Sequence, residues 1–211
     1  MLTSLLDGVM ERRARHLIEL VGGWVPTQGR VLDLGSGTGH VAARLDRQQR
    51  IEVMTTDVTD IHVVGRPPLV VTDGVLPFED DTFSAALLFF VLAYPKKPAS
   101  VLAEAARVTQ GPVIVVQSLH ANRFGYAWLR VREFVWTVLA FHISRLVGYV
   151  SPHATFTMHT QRFYTAGTLR REVEAAGLRI RAQRVRPVLP DHSLVVAAWL
   201  LEQATGDKCD G

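Results

Sequence analysis

Cysteine is nearly absent: Cys209, in the polar tail TGDKCDG, is the only one in the chain. That rules out a disulfide framework and a cysteine-based metal cluster, and it fits a reducing, cytoplasmic setting. Long apolar runs are also missing. The most hydrophobic stretch, Val135 to Phe141, is bounded by Glu133 and His142 and is far shorter than the roughly 20 residues needed to span a bilayer. A secretory leader is not expected, because the N-terminus carries Asp7 and Glu11 among its apolar residues and its basic cluster follows them. Repeats and low-complexity tracts are lacking, which excludes a solenoid and a disordered chain. No metal site is expected.

What is present is one domain's worth of apolar sequence. The 211 residues are 48% hydrophobic, enough for a single α/β domain and too few for two comfortable ones. Leu6, Val9, Leu17, Leu20 and Val21 recur near helical spacing and predict a helix from about Ser4 to Val21. The runs RVLDL, IEVMTT, PLVVT, FSAALLFF and PVIVVQS have strand length, and LRIRAQRVRPV and SLVVAAWLL supply the last two strands. Helices are predicted over His40 to Asp46, Ala99 to Val108 behind Pro98, and Ala166 to Ala176 with Thr165 as N-cap and Gly177 as terminus. Strands alternating with helices imply right-handed crossovers and a mostly parallel seven-stranded sheet, with helices on both faces.

The alternation breaks after the fifth strand. Residues 120–160 are aromatic, apolar and arginine-rich, and predict a helical lid inserted into the domain. From His120 to Arg186 eleven arginines stand against Glu133, Glu172 and Glu174, although the net charge of the chain is only +3. Such a bias is either a solvated surface or an attraction to an anionic membrane or substrate. The tail, residues 204–211, is expected to be disordered.

In VLDLGSGTGH a strand runs into a turn of Gly35, Gly37 and Gly39 and then into a helix. Without Cβ atoms the backbone there can turn sharply and approach a ligand closely. A dinucleotide site shares this pattern, but it calls for a glycine where this chain has His40. Asp33 places a carboxylate at the strand end, which repels a pyrophosphate and suits a ligand bearing ammonium and sulfonium groups. Asp57 ends the next strand, 18 residues after Gly39, where a carboxylate can accept both hydroxyls of a ribose.

With these residues the sequence resembles the class I S-adenosylmethionine-dependent methyltransferases, particularly small-molecule enzymes with an LDLGSGTG first motif. The resemblance runs from about Gly29 to Val116 and resumes in HTQRFYTAGTLRREVEAAGL. It implies a Rossmann-like methyltransferase fold with S-adenosylmethionine as cofactor. It implies also that Asp33, Gly35, Ser36, Gly37 and Gly39 hold the methionine part and Asp57 the ribose. Val58 would pack on the adenine, Asp73 and Gly74 would meet the adenine edge, and Phe89 would lie beside the methionine. Ala93 and Tyr94 depart from the pair of polar or histidine residues found there in many relatives, so no base carries over to those positions. There is no NPPY-like sequence, which disfavours methylation of base amino groups in nucleic acid.

Methyl transfer is an in-line displacement at a carbon already activated by sulfur, so the enzyme must chiefly hold the acceptor atom close and collinear. A base is needed for a hydroxyl or acidic carbon and much less for a carboxylate or neutral amine. Ligands bind beyond the carboxyl ends of the strands, which makes His159, Tyr94 and His120 the candidate catalytic residues, with His40 and His153 as further histidines nearby. Tyr126, Trp128, Phe134, Trp136 and Phe141 are expected to form an apolar pocket, with Arg123, Arg130, Arg132 and Arg145 meeting lipid headgroups or an acidic substrate. The acceptor expected is a hydrophobic small molecule such as a lipid, quinone, isoprenoid or natural product, with peripheral membrane contact through the insertion and no nucleic acid. Methylation of RNA or protein, and a non-catalytic cofactor-binding partner protein, remain the alternatives.

Overall fold

The continuous apolar runs in β1 (Gln28–Leu34), β4 (Ala85–Phe89) and β5 (Val113–His120) have to be covered on both sides, and these strands lie in the middle of the sheet. The fold is described by a computed structural model over residues 2–48, 50–71, 74–135, 141–150 and 160–204. The period of two along each strand divides the core. Val31, Ala85, Leu87, Ile114 and Val116 face the side that holds Leu17 and Val21 of α1 (Leu2–Val21) and Leu45 of α2 (His40–Gln48). Leu32, Ala86, Leu88, Val113 and Val115 face the other side, against Leu102 of α3 (Pro98–Arg107) and Leu169 and Val173 of α6 (Ala166–Ala175).

With β2 (Arg50–Asp57), β3 (Leu69–Val70), β6 (Leu178–Pro187) and β7 (Leu194–Gln203), the sheet has seven strands in the order β3-β2-β1-β4-β5-β7-β6. Every pair is parallel except those made by β7, which runs antiparallel to both β5 and β6. A short reversal over residues 188–193 joins β6 to β7 and leaves no length for a crossover. The architecture is the expected Rossmann-like one. The PLVVT run pairs only at Leu69 and Val70, because Pro67 and Pro68 remove backbone donors just before it.

The predicted helical insertion is α4 (Arg123–Phe134) and α5 (Phe141–Leu146); residues 136–140 and 151–159, and the predicted tail from 205 on, lie outside the described residues. Asn122 caps α4 by accepting from the Gly125 amide at 2.9 Å. The helix then passes so close to the start of β7 that a Cβ at Gly125 would collide with the Ser193 carbonyl. That contact, with buried Leu129 one turn on, fixes which face of α4 looks inward.

At the start of α6 the Thr165 side chain accepts from the Thr168 amide at 3.2 Å, while the Thr168 hydroxyl accepts from the Thr165 amide at 2.8 Å. Both orphan donors are satisfied reciprocally. Thr165→Ala is expected to lower the unfolding free energy by about 1 kcal/mol, measured by urea denaturation, with an unchanged denaturant slope. A variant as stable as the parent would show that the cap contributes nothing.

Candidate functional site

The glycine turn after β1 is anchored from below. The amides of Gly35 and Ser36 both donate to the Thr56 carbonyl at the end of β2, at 2.8 and 3.1 Å. Gly37 donates to Asp57 Oδ2 at 2.8 Å, and Gly39 to the Ser36 carbonyl at 3.1 Å. A phosphate-binding loop aims its amides at the ligand, whereas these four amides are engaged within the protein. Gly35, Gly37 and Gly39 all have positive φ, and a Cβ at Gly35 or Gly39 would strike Val91 or the Val64 carbonyl. Nothing lies within 4 Å of a Cβ at Gly37, so the backbone is bare where a ligand would approach.

Asp33 is buried at the end of β1, and its Oδ2 has no hydrogen-bond partner. Burial, and then the negative field of Asp57, push its pKa up to about 7. Asp57 itself accepts from the amides of Gly37 and Val58, and burial outweighs these bonds to raise its pKa. Ser36 Oγ lies 2.7 Å from His62 Nε2, which steadies the turn from the following loop. Val58 is exposed at the cavity wall, and Phe89 is buried along it. Gly74 is exposed, with φ +70, and is not among the cavity-lining residues. Asp73 lies outside the described residues.

Above this turn opens a cavity of about 1000 Å³. Its floor is the ends of β1, β2, β4 and β5. Its roof is α1 together with α4, α5 and the residues after them. The inward stripe of α1 comprises Leu6, Met10, Arg13, Leu17 and Leu20, and the Arg13 guanidinium sits 4.8 Å above the Phe90 ring. A polar strap holds this roof in place. His40 Nε2 meets Asp7 Oδ1 at 2.9 Å, its Nδ1 meets Thr38 Oγ1 at 3.0 Å, and the Tyr149 hydroxyl donates to Asp7 at 3.4 Å. Arg44 adds a bond to Glu11 at 2.7 Å. His40 is thus a tie between α1, α2 and the end of the insertion.

Beyond β4 and β5 the Tyr94 hydroxyl donates to Glu133 Oε1 at 3.1 Å, and the Thr160 hydroxyl donates to the same oxygen. Burial, then the charge of Glu133, raise the Tyr94 pKa, so its phenol stays protonated. Arg132 Nη2 donates to Ser118 Oγ at 2.6 Å. His120 does not line the cavity; its ring packs edge-on against Tyr126 at 5.2 Å. His153 and His159 lie outside the described residues. The arrangement therefore brings together Asp33, the glycine turn, Asp57, Val58, Phe89 and Tyr94, and leaves His120 aside.

One expectation about the insertion is corrected. Phe141 lines the cavity, but Trp128 and Phe134 face solvent, with Phe134 64% exposed, and Tyr126 packs between His120 and Phe163 without lining the cavity; Trp136 lies outside the described residues. The inward position is held by Gly125, Leu129 and Arg132, so helical geometry turns residues 124, 128, 131 and 135 outward. Arg132, expected to meet lipid headgroups or an acidic substrate, lines the cavity.

The donor set fits a cation-bearing nucleoside. An unpartnered carboxylate oxygen would receive an ammonium, a second carboxylate a pair of ribose hydroxyls, and the engaged turn amides offer nothing to a pyrophosphate. The chain matches the methyltransferase domain family over residues 6–183 and belongs to it. It is an S-adenosylmethionine-dependent methyltransferase of class I. Solved structures share the fold at low identity. The cyclase SpnF has a TM-score of 0.64 at 16% identity, over 93% of this chain and 81% of its own. A geranyl diphosphate methyltransferase in complex with S-adenosylmethionine has 0.60 at 12%, over 92% and 85%. A methyltransferase-like protein from Bacillus halodurans has 0.58 at 14%, over 90% and 98%. No curated protein matches significantly.

Sequence reasoning missed Arg13 and Glu133, and left Arg132 open between a lipid surface and an acidic substrate. A signal existed for two of them. Arg13 falls on the Leu6, Leu17, Leu20 stripe, and Arg132 falls three residues after Leu129, so each is a cation on an apolar face.

An ammonium received by Asp33 would make ligand binding sensitive to pH. Burial raises the pKa of this carboxyl to about 7, whereas an ammonium beside it would favour the carboxylate, so such binding would release a proton. The affinity for S-adenosylhomocysteine is expected to fall as pH drops below that value, approaching about tenfold per pH unit. Calorimetry between pH 5.5 and 8.5 measures it, with Asp33→Asn expected to flatten the profile. A parent profile already flat would remove the coupling.

Proposed function

We propose that the acceptor of the methyl group is a hydrophobic small molecule. The observation that carries this reading is the cavity itself. Its roof of α1, α4 and α5 bears Leu6, Val9, Leu17, Leu129 and Phe141, and about 1000 Å³ is the upper range of pockets that enclose small ligands. A folded RNA or protein substrate would need that roof removed. The geranyl diphosphate methyltransferase of the same fold is named for a small acceptor, which agrees with this reading.

When bound, S-adenosylmethionine supplies a methyl group made electrophilic by its sulfonium. The chain's own residues bind, orient and exclude water. Asp33 and the glycine turn hold the methionine end, Asp57 the ribose, Val58 the adenine, and Phe89 the flank of the methionine. Tyr94, kept protonated and donating its one O–H to Glu133, holds that carboxylate in place rather than acting as a base. His159 is the histidine to test wherever the acceptor proves to be a hydroxyl or an acidic carbon. The insertion gives this protein a second property, contact with membrane surfaces. Phe124, Trp128, Val131 and Val135 form an exposed stripe along α4, and Arg123 and Arg130 flank it. No helix among the described residues is long and apolar enough to cross a membrane.

Incubation with radiolabelled S-adenosylmethionine and, separately, a lipid-soluble metabolite extract, bulk RNA and a peptide pool is expected to label the extract alone. Asp57→Ala should weaken cofactor binding by tenfold or more, since charge-assisted hydrogen bonds contribute about 1.5 to 3 kcal/mol. Label in RNA or peptide, with none in the extract, would refute the small-molecule reading.

Co-sedimentation with vesicles containing phosphatidylserine is expected for the parent, and to be lost in Phe124→Ser/Trp128→Ser or at high salt. Sedimentation unaffected by either change would sink the membrane role.

A further inference from the structure

The acceptor half of the cavity carries more positive charge than its own carboxylates neutralise, and this narrows the acceptor class; the inference rests on the methyltransferase reading above. Arg13 enters from α1 and Arg132 from α4. They stand near enough to repel: burial, and next the charge of Arg132, pull the Arg13 pKa down, and burial lowers that of Arg132. Among the described residues the acidic side chains lining the cavity are Asp57 and Glu133. Asp57 is on the cofactor side, held by the Gly37 and Val58 amides. Glu133 is shared with the hydroxyls of Tyr94 and Thr160.

Arg12 and Arg186 also border the space, and so does Arg162, which is already engaged by Glu172 at 2.6 Å and the Lys96 carbonyl at 3.0 Å. Two half-buried guanidiniums against one carboxylate leave a net positive charge among the described residues. The cofactor deepens the imbalance, since its sulfonium and ammonium outnumber its single carboxylate. A neutral acceptor would leave that excess uncompensated, whereas an acid group would cancel it. Arg132 also has a vacant donor in place. Its Nη2 is spent on Ser118, but its Nε is buried with no acceptor. An oxygen of a carboxylate or phosphate supplies what that N–H lacks. Leu129, Phe141, Val188 and Val196 add apolar wall to the cavity.

We propose that the acceptor is an apolar molecule bearing an acid group, carboxylate or phosphate, which Arg13 and Arg132 receive at the β4–β5 end of the cavity. The acid fixes the orientation of the acceptor, and the apolar body lies under the insertion.

The test uses the whole protein saturated with S-adenosylhomocysteine and titrated calorimetrically with dodecanoate, dodecyl phosphate and dodecanol. At least one anion is expected to bind about tenfold or more tightly than the alcohol, and whichever anion wins identifies the acid. Arg132→Gln should cut that preference by about tenfold while leaving dodecanol nearly unchanged, with Arg132→Lys retaining part of it. Where Arg132→Gln no longer binds S-adenosylhomocysteine and so has lost its fold, Arg13→Gln and the parent comparison decide. Equal affinity for all three probes, no binding of either anion, or a preference undiminished in the arginine variants overturns the proposal. Failure of the parent to bind S-adenosylhomocysteine is seen in the first titration and sinks the methyltransferase reading together with this inference.

Discussion

Because the central strands are packed on both faces, polar chemistry can emerge from this sheet only where the strands stop. Val31 and Leu32, Leu87 and Leu88, and Val115 and Val116 alternate between two covered layers, so no side chain along their length is free to meet a ligand. Asp33, Asp57, Phe90, Gln117 and Ser118 sit at or near the ends, where the coverage lapses. The apolar sheet and the polar site are thus consequences of one constraint. Helices that cover a parallel sheet also force its loops to gather at one edge.

The same constraint sets the electrostatics. Asp33 is carried into the interior by the strand that ends there, and burial with Asp57 nearby makes its carboxylate costly until a cation arrives. Arg13 and Arg132 are brought inward by helices whose other residues are needed as apolar cover. An unsatisfied acid therefore lies beneath the glycine turn beside the cavity, and an excess of cationic groups lines the cavity's other end. A cationic cofactor and an anionic acceptor are complementary to those two places.

The roof is held by polar ties as well as by apolar packing of Leu6, Phe141, Tyr149 and Val150. His40, Asp7, Tyr149 and Thr38 join α1 to α2 and to the close of the insertion, with Arg44 and Glu11 beside them. Arg184 reaches from β6 to the carbonyls of Leu20 and Gly22 at the end of α1 and stacks on Trp24. Polar bonds at a partly exposed roof are individually weak and can open without unfolding the sheet, which suits a cavity that must admit two ligands.

The sequence by itself determined the layering, the seven strands, the glycine turn and its two carboxylates, because each is encoded by local periodicity or by residues close in the chain. Thr165 as cap and Gly177 as terminus of α6 were readable for the same reason. Tertiary structure alone decided which face of α4 looks inward, since that depends on the contact of Gly125 with Ser193, 68 residues away in the chain. It turned Trp128 to solvent and Arg132 to the cavity, the reverse of what aromatic and basic character suggests. It also decided that His40 would be a strap and His120 a packing residue. A histidine's neighbours are set by elements remote in sequence, and its chemistry follows from those neighbours rather than from its position after a strand.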